Sequence, residues 1–371
     1  MEKKIIAAAA IIFAGTMLVA GKYIKDSGIL KGYPKAEYLT AEEAEYRPIY
    51  NQLSEDEKAV YTALYRGISK HDEKIPLPMD IDGDEYSRVY CILEKQECSF
   101  FYLDSVYYTA MKVREAKIAY RESSGTEIKE SQLEAAVDKA MRYTADYWSD
   151  YDKVRYINDY IVENCRYISG DDSEYASTAY GCLVEGAANC EGYAKAFGLL
   201  ASELGVNSAV ITGQTDKGEN HAWNQVEVGG DWFNIDVTWA DTDHEGEIRQ
   251  MYFLCSDADF SRTHIADETL FKPYECGSND KNYYSQLGLY AESSDEAVEI
   301  VRRELDEGNG VIDLKFADES SYKEFKDNYI TNQKIFEIVL QSKYPYSQMT
   351  SLYCKDNEQE YCMTLDFTRE K

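Results

Sequence analysis

Two adjacent glycines, Gly229 and Gly230, most constrain what this chain can fold into, because HAWNQVEV runs up to them and DWFNIDVTWA runs away from them. A two-residue turn of that type joins antiparallel strands and sets their register, placing Val228 opposite Asp231 and, counting back, His221 opposite Thr238. Asp236 then lies diagonal to His221, about 7–8 Å away at the Cα level, close enough for their side chains to hydrogen-bond. Period-two alternation puts His221, Trp223 and Gln225 on one face with Asn234, Asp236 and Thr238, while Val226, Val228, Phe233, Ile235, Val237 and Trp239 line the other. One face is core, and the other is free for chemistry.

Upstream, Asn189 precedes CEGYAKAFGLLASELG, in which Tyr193, Phe197, Leu200 and Leu204 recur at helical spacing and Gly205 marks the stop. Cys190 therefore sits in the first turn of a helix. Unpaired N–H groups and the positive end of the helix dipole favour a thiolate there, and a thiolate is the form that attacks a carbonyl carbon. Cys190, His221 and Asp236 could act together as nucleophile, base and orienting carboxylate.

The three blocks C-E-G-Y-A, H-A-W-N and W-F-N-I-D-V-T-W resemble the core of bacterial transglutaminase-like proteins, a branch of the papain-like cysteine superfamily. The resemblance covers roughly residues 151–256. It implies an α+β fold with the cysteine-bearing helix packed on an antiparallel sheet that carries His and Asp, with Cys190 as nucleophile, His221 as general base and acid, and Asp236 as the group that orients the ring. The chain departs from the family pattern at Asn189, where a small apolar residue is expected, and at Asn158, where the upstream helix usually reads H-D-Y.

Charge narrows the partners. The 371 residues carry 68 acidic against 39 basic side chains, a formal net charge of −29, and a phosphate backbone or anionic membrane surface needs a basic footprint. Nucleic acid is excluded as a partner. The segment 1–21 places Lys3 and Lys4 before an uncharged run from Ile5 to Gly21, so it reads as a signal peptide or a single N-terminal membrane anchor. The expected location is extracellular, secreted or anchored to the cell membrane, and the expected partner is an extracellular protein or peptide substrate. Nine cysteines fit export weakly; Cys91–Cys98 and Cys354–Cys362 are the most economical local bridges.

No cofactor or metal is called for. There is no C-x-x-C pair and no glycine-rich phosphate loop, the four histidines (His71, His221, His244, His264) are scattered along the chain, and DIDGDE lacks the ligand ladder of a calcium loop. His264 reads as a surface residue, and Trp223 and Trp239 as core aromatics.

The expected domain order is a polar spacer over 22–46, a mostly helical N-terminal extension over 47–148, the catalytic core over 149–286 and a small α+β domain over 287–371. Within the extension, Ser54 and Glu57 form a capping box ahead of Val60, Leu64 and Ile68, and the run 107–120 reads as strand. MYFLCS reads as a further strand of the core, and the C-terminal domain as helices over 296–305 and 320–329 with strands over 310–316, 335–341, 350–354 and 361–367.

The leading function is an exported transglutaminase-like cysteine enzyme that acts on peptide or side-chain amides through a thioester, resolved by water or an amine. A cysteine peptidase working on extracellular protein or wall peptides is the alternative within the same chemistry. A catalytically silent scaffold that binds at the cell surface is the alternative outside it.

Overall fold

The Ser54 hydroxyl accepts from the Glu57 N–H, and the Glu57 carboxylate accepts from the Ser54 N–H at 2.9 Å. This box starts helix α1 (Glu55–Ile68), which buries Val60, Leu64 and Ile68. Strand β1 (Lys74–Asp82) follows, then α2 (Gly83–Gln96), capped by Asp82, then β2 (Leu103–Tyr107) and β3 (Lys112–Tyr120). The three strands pair in the order β1-β3-β2. The extension expected to be mostly helical thus also carries a sheet. Pro76 and Pro78 hide β1 from a propensity reading, and an edge position is where a strand tolerates residues without an N–H to donate.

The computed structural model describes residues 32–107, 110–121, 125–169, 172–242, 248–345 and 351–368. The segment 1–21, with the expectation of a leader or anchor, lies outside them, as does His244. Among the described residues no helix is long and apolar enough to cross a membrane. The chain forms two compact units, Met1–Ala136 with Glu268–Lys272, and Val137–Asp267 with Pro273–Lys371. The second holds the candidate site.

That unit begins at the end of α3 (Thr126–Met141) and continues through α4 (Asp150–Asn164), a short parallel pair β4 (Arg166–Tyr167) and β5 (Ala187–Ala188), and α5 (Cys190–Glu203). The antiparallel strands β6 (Ser208–Thr215), β7 (Asn220–Val228), β8 (Asp231–Ile235) and β9 (His264–Ala266) form one sheet in the order β8-β7-β6-β9. Helices α4 and α5 bury Val154, Ile157, Ile161, Tyr193, Phe197 and Leu200 with Val226, Val228, Phe233 and Ile235 from the sheet. Each large apolar side chain so buried stabilises the fold by roughly 1.5–3 kcal/mol before entropy is counted.

The hairpin has Val228 opposite Asp231 and Asn224 opposite Ile235, and both turn glycines take positive φ, +65° at Gly229 and +94° at Gly230. Beyond Ile235 the strand does not continue. Residues Val237–Ala240 turn into a short helix, α6, for which Asp236 is the N-cap, its Oδ1 accepting from the Trp239 N–H at 3.1 Å. MYFLCS is not a strand either; it contributes one bridge, Cys255 to Asn234, and otherwise packs as irregular chain.

The remainder of this unit has β10 (Tyr290–Ala291), α7 (Ser294–Glu307), β11 (Val311–Phe316), α8 (Glu319–Phe325), α9 (Ile335–Gln341), β12 (Tyr353–Asn357) and β13 (Cys362–Asp366), with sheet order β10-β11-β13-β12. The stretch 335–341, expected as strand, is α9. Its sequence IFEIVLQ buries Ile335, Ile338 and Val339, a spacing that suits one face of a helix as well as β-branched residues suit a strand. Lys315 on β11 is wholly buried and lies 3.6 Å from the Asp259 carboxylate, and its ammonium donates to the Glu360 carbonyl at 3.3 Å. These bonds tie the C-terminal sheet to the core.

All nine cysteines are free thiols. Cys91 and Cys98 lie seven residues apart along α2 and just past its end, about 10 Å at the helical rise, too far for a bridge. Cys354 faces Leu365 while Cys362 faces Asn357, an odd offset of three positions that sends the two thiols to opposite faces of the hairpin.

Candidate active site

Cys190 is the first residue of α5. The Asn189 side chain accepts from the Glu191 and Gly192 N–H groups at 3.1 and 3.2 Å, which leaves the Cys190 N–H unused by the cap. Asn189, a departure from the expected small apolar residue, is therefore a good N-cap. Asn158, the other departure, is buried in α4 and donates to the Asp159 carboxylate.

His221 lies opposite Gly213 on β7, and its Nε2 is 2.7 Å from Asp236 Oδ2. Cys190 also acts on the His221 ring, adding to the interactions that favour its charged form. His221 and Asp236 are thus joined directly, and Cys190 stands at the start of α5 as a contributor to the charge balance of the ring. Burial opposes the charged ring, but the Asp236 charge and hydrogen bond, with a contribution from Cys190, outweigh it and raise the His221 pKa to about 10. Burial likewise opposes the Asp236 anion; His221 first, then His264, reverse the balance and hold it well below the usual carboxylate range. Tyr167 is 48% exposed, and its hydroxyl pKa is raised by burial and then by the charges of Cys190, Glu219 and Asp236.

His264 is not at the surface. Only 3% of it is exposed; its Nε2 is 3.1 Å from the same Asp236 Oδ2, and its Nδ1 is 2.9 Å from the Thr263 hydroxyl. Two of the four histidines therefore converge on one carboxylate, although nothing in their sequence spacing announces it. Four aromatic rings enclose the pair. Phe260 stacks on His264 at 3.9 Å, Trp239 lies 4.5 Å from His264 and 5.2 Å from His221, Trp223 stacks on His221 at 6.2 Å, and Tyr252 lies 5.8 Å from His264. Trp223 and Trp239, expected only as core, also wall the site.

His221, Asp236 and His264 offer three ligand atoms within 4.8 Å of one another, the one such cluster among the described residues. The 2.7 and 3.1 Å separations are hydrogen-bond lengths, and a carboxylate between two imidazole N–H donors satisfies every polar atom that faces it. The arrangement is read as a hydrogen-bonded one.

Residues 137–237, from the end of α3 to just past Asp236, match the family model described as the transglutaminase-like superfamily. This stretch is a transglutaminase-like domain. Its α+β architecture has the cysteine-bearing helix against the sheet. Three solved structures are similar over part of this chain. A Cytophaga hutchinsonii protein provisionally named a cysteine protease is 24% identical over 30% of this chain and 37% of its own, with a TM-score of 0.24. A TGase is 14% identical over 40% and 47%, with a TM-score of 0.28. A Parabacteroides distasonis protein provisionally named a protease is 11% identical over 37% and 39%, with a TM-score of 0.23. The chain spans less than half the length of each. No curated protein matches it.

Proposed function

We propose that the transglutaminase-like domain is a cysteine enzyme that acts on an amide carbonyl through a thioester. The observation that supports this is the buried His221–Asp236 pair at 2.7 Å, with Cys190 in the first turn of α5 and contributing to the charge balance of the same ring. A ring held cationic at neutral pH is the partner that a Cys190 thiolate needs. The sulfur attacks the carbonyl carbon, the C–S bond forms as the carbonyl π pair moves to oxygen, and the Cys190 N–H at the start of α5 faces the resulting oxyanion. His221 then passes its Nδ1 proton to the departing nitrogen, the C–N bond breaks, and a thioester remains. Water or an amine, deprotonated by His221, resolves it and returns the thiol.

The substrate class we propose is a peptide or protein amide outside the cell. The charged, then apolar, run of 1–21 and the strongly acidic composition support that placing. Whether water or an amine resolves the thioester decides between hydrolase and acyltransferase.

The test is alkylation of Cys190 by iodoacetamide between pH 5 and 9, in the native protein and in His221→Ala, with the site read by mass spectrometry. Fast reaction well below pH 8.5 that is lost in the variant is the expected result; an ordinary thiol profile in both removes the enzyme reading. A glutamine-donor peptide, with and without an added amine, then separates amine incorporation, ammonia release and chain cleavage.

A further inference from the structure

A buried imidazole that touches no substrate needs a reason. His264 occupies a space closed by Phe260, Trp239, Trp223 and Tyr252, where a phenyl ring would fit without two nitrogens to desolvate. A phenyl ring would not hold Asp236. That carboxylate receives Trp239 N–H on Oδ1 at 3.1 Å and, on Oδ2, both His221 at 2.7 Å and His264 at 3.1 Å. Since an ionised carboxylate only accepts, His264 must donate from Nε2, and its tautomer is fixed accordingly.

The placement of His264 is built into the sheet. On β6, Gly213 pairs with His221 on one side and with Ala266 on the other, and Thr215 pairs with His264. A Cβ at Gly213 would stand 2.1 Å from the Ile265 carbonyl and 2.8 Å from the Trp223 ring. Only glycine lets β9 come in this close, and that approach is what brings His264 over to Asp236.

Behind His264 the chain of polar contacts continues. Its Nδ1 accepts from the Thr263 hydroxyl at 2.9 Å, and the Glu360 carboxylate accepts from the Tyr252 hydroxyl at 3.3 Å. Glu360 is 2% exposed and lies in the turn between β12 and β13, far along the chain from the catalytic residues. The charged and titratable groups around this line are Asp236 and His221 on one side of His264, and Glu360, Tyr252, Lys315 and Arg262 on the other.

We propose that His264 is a positioning residue for the Cys190–His221–Asp236 site, holding Asp236 in the orientation that aligns the His221 ring, and that it is itself braced by Thr263. This rests on the cysteine-enzyme reading above.

The test measures Cys190 alkylation rates between pH 5 and 9 in the full chain for the native protein, His264→Gln, His264→Leu and Thr263→Val, with thermal melts to confirm folding. Loss of one hydrogen bond to a charged group predicts that His264→Leu slows alkylation at pH 6 by about ten-fold and moves the profile toward an ordinary thiol, while His264→Gln, which retains an N–H donor, stays within about three-fold of native. A folded His264→Leu with the native profile overturns the proposal, as does an equal loss in the Gln and Leu variants, which would mark a packing role. If His264→Leu is unfolded, Thr263→Val decides: a fall of about three-fold at pH 6 supports the bracing, and an unchanged rate overturns it. A native protein with an ordinary profile removes both this proposal and the enzyme reading. A native activated profile with unmoved variants removes this one alone.

Discussion

The His221–Asp236 pair sets a pH dependence that can be read in stability as well as in reactivity. An imidazole free in the unfolded chain titrates near about 6.5, and in the fold its pKa stands at about 10. A raised cationic group contributes stability that is fully present below the unfolded value and is lost as pH rises through the folded one. Asp236, held low, contributes above the ordinary carboxylate range and loses that contribution on acidification. The melting temperature of the native protein should therefore fall between pH 6.5 and 10 more steeply than that of His221→Gln, which has no such titration. Parallel curves for the two proteins would show that the ring is not charged in the fold. At this scale the His221–Asp236 contact and the place of Cys190 at a helix start were legible, since each sits in a local pattern of helix start, strand alternation or strand end. His264 was not, because its partner lies 28 residues away in sequence and no periodicity connects them.

Elements deliver those residues, and their ends matter more than their middles. Asn189 takes two of the first N–H groups of α5 and so defines where the helix begins, hence where the thiol stands. Asn189→Ala should cost about 1 kcal/mol in urea unfolding and lower the alkylation rate of Cys190 as the first turn frays; an unchanged midpoint would mean that water replaces the cap without loss. The hairpin register could be counted from Gly229-Gly230 because a tight turn leaves no slack. The helix after it could not, since Val-Thr-Trp has strand propensity and Asp236 changes the outcome only through a side-chain bond to the Trp239 N–H. The same kind of local competition turned 335–341 from strand to α9.

Across the second unit, buried charge joins the core to the C-terminal sheet. Lys315 meets Asp259 and the Glu360 carbonyl with its side chain fully enclosed, so removing one partner strands the other. Lys315→Met should destabilise this unit by about 3–5 kcal/mol, less if Asp259 is neutralised with it. In calorimetry, core and C-terminal sheet should melt in a single transition, and two resolved transitions within residues 137–371 would contradict the coupling. This union was hidden in the sequence, where an apolar strand with one lysine reads as a strand with one wet face.

Asp236 is pinned at both oxygens, and that decides which part of the site can move. A carboxylate so anchored acts as a fixed pivot, and the ring attached to it can only rock through a short arc. The proton on the far side of that ring travels along the arc and nowhere else. On the proposed chemistry, an incoming amide has to present its departing nitrogen to the one spot that arc reaches, which would fix the direction in which a substrate chain lies before any of its side chains is recognised.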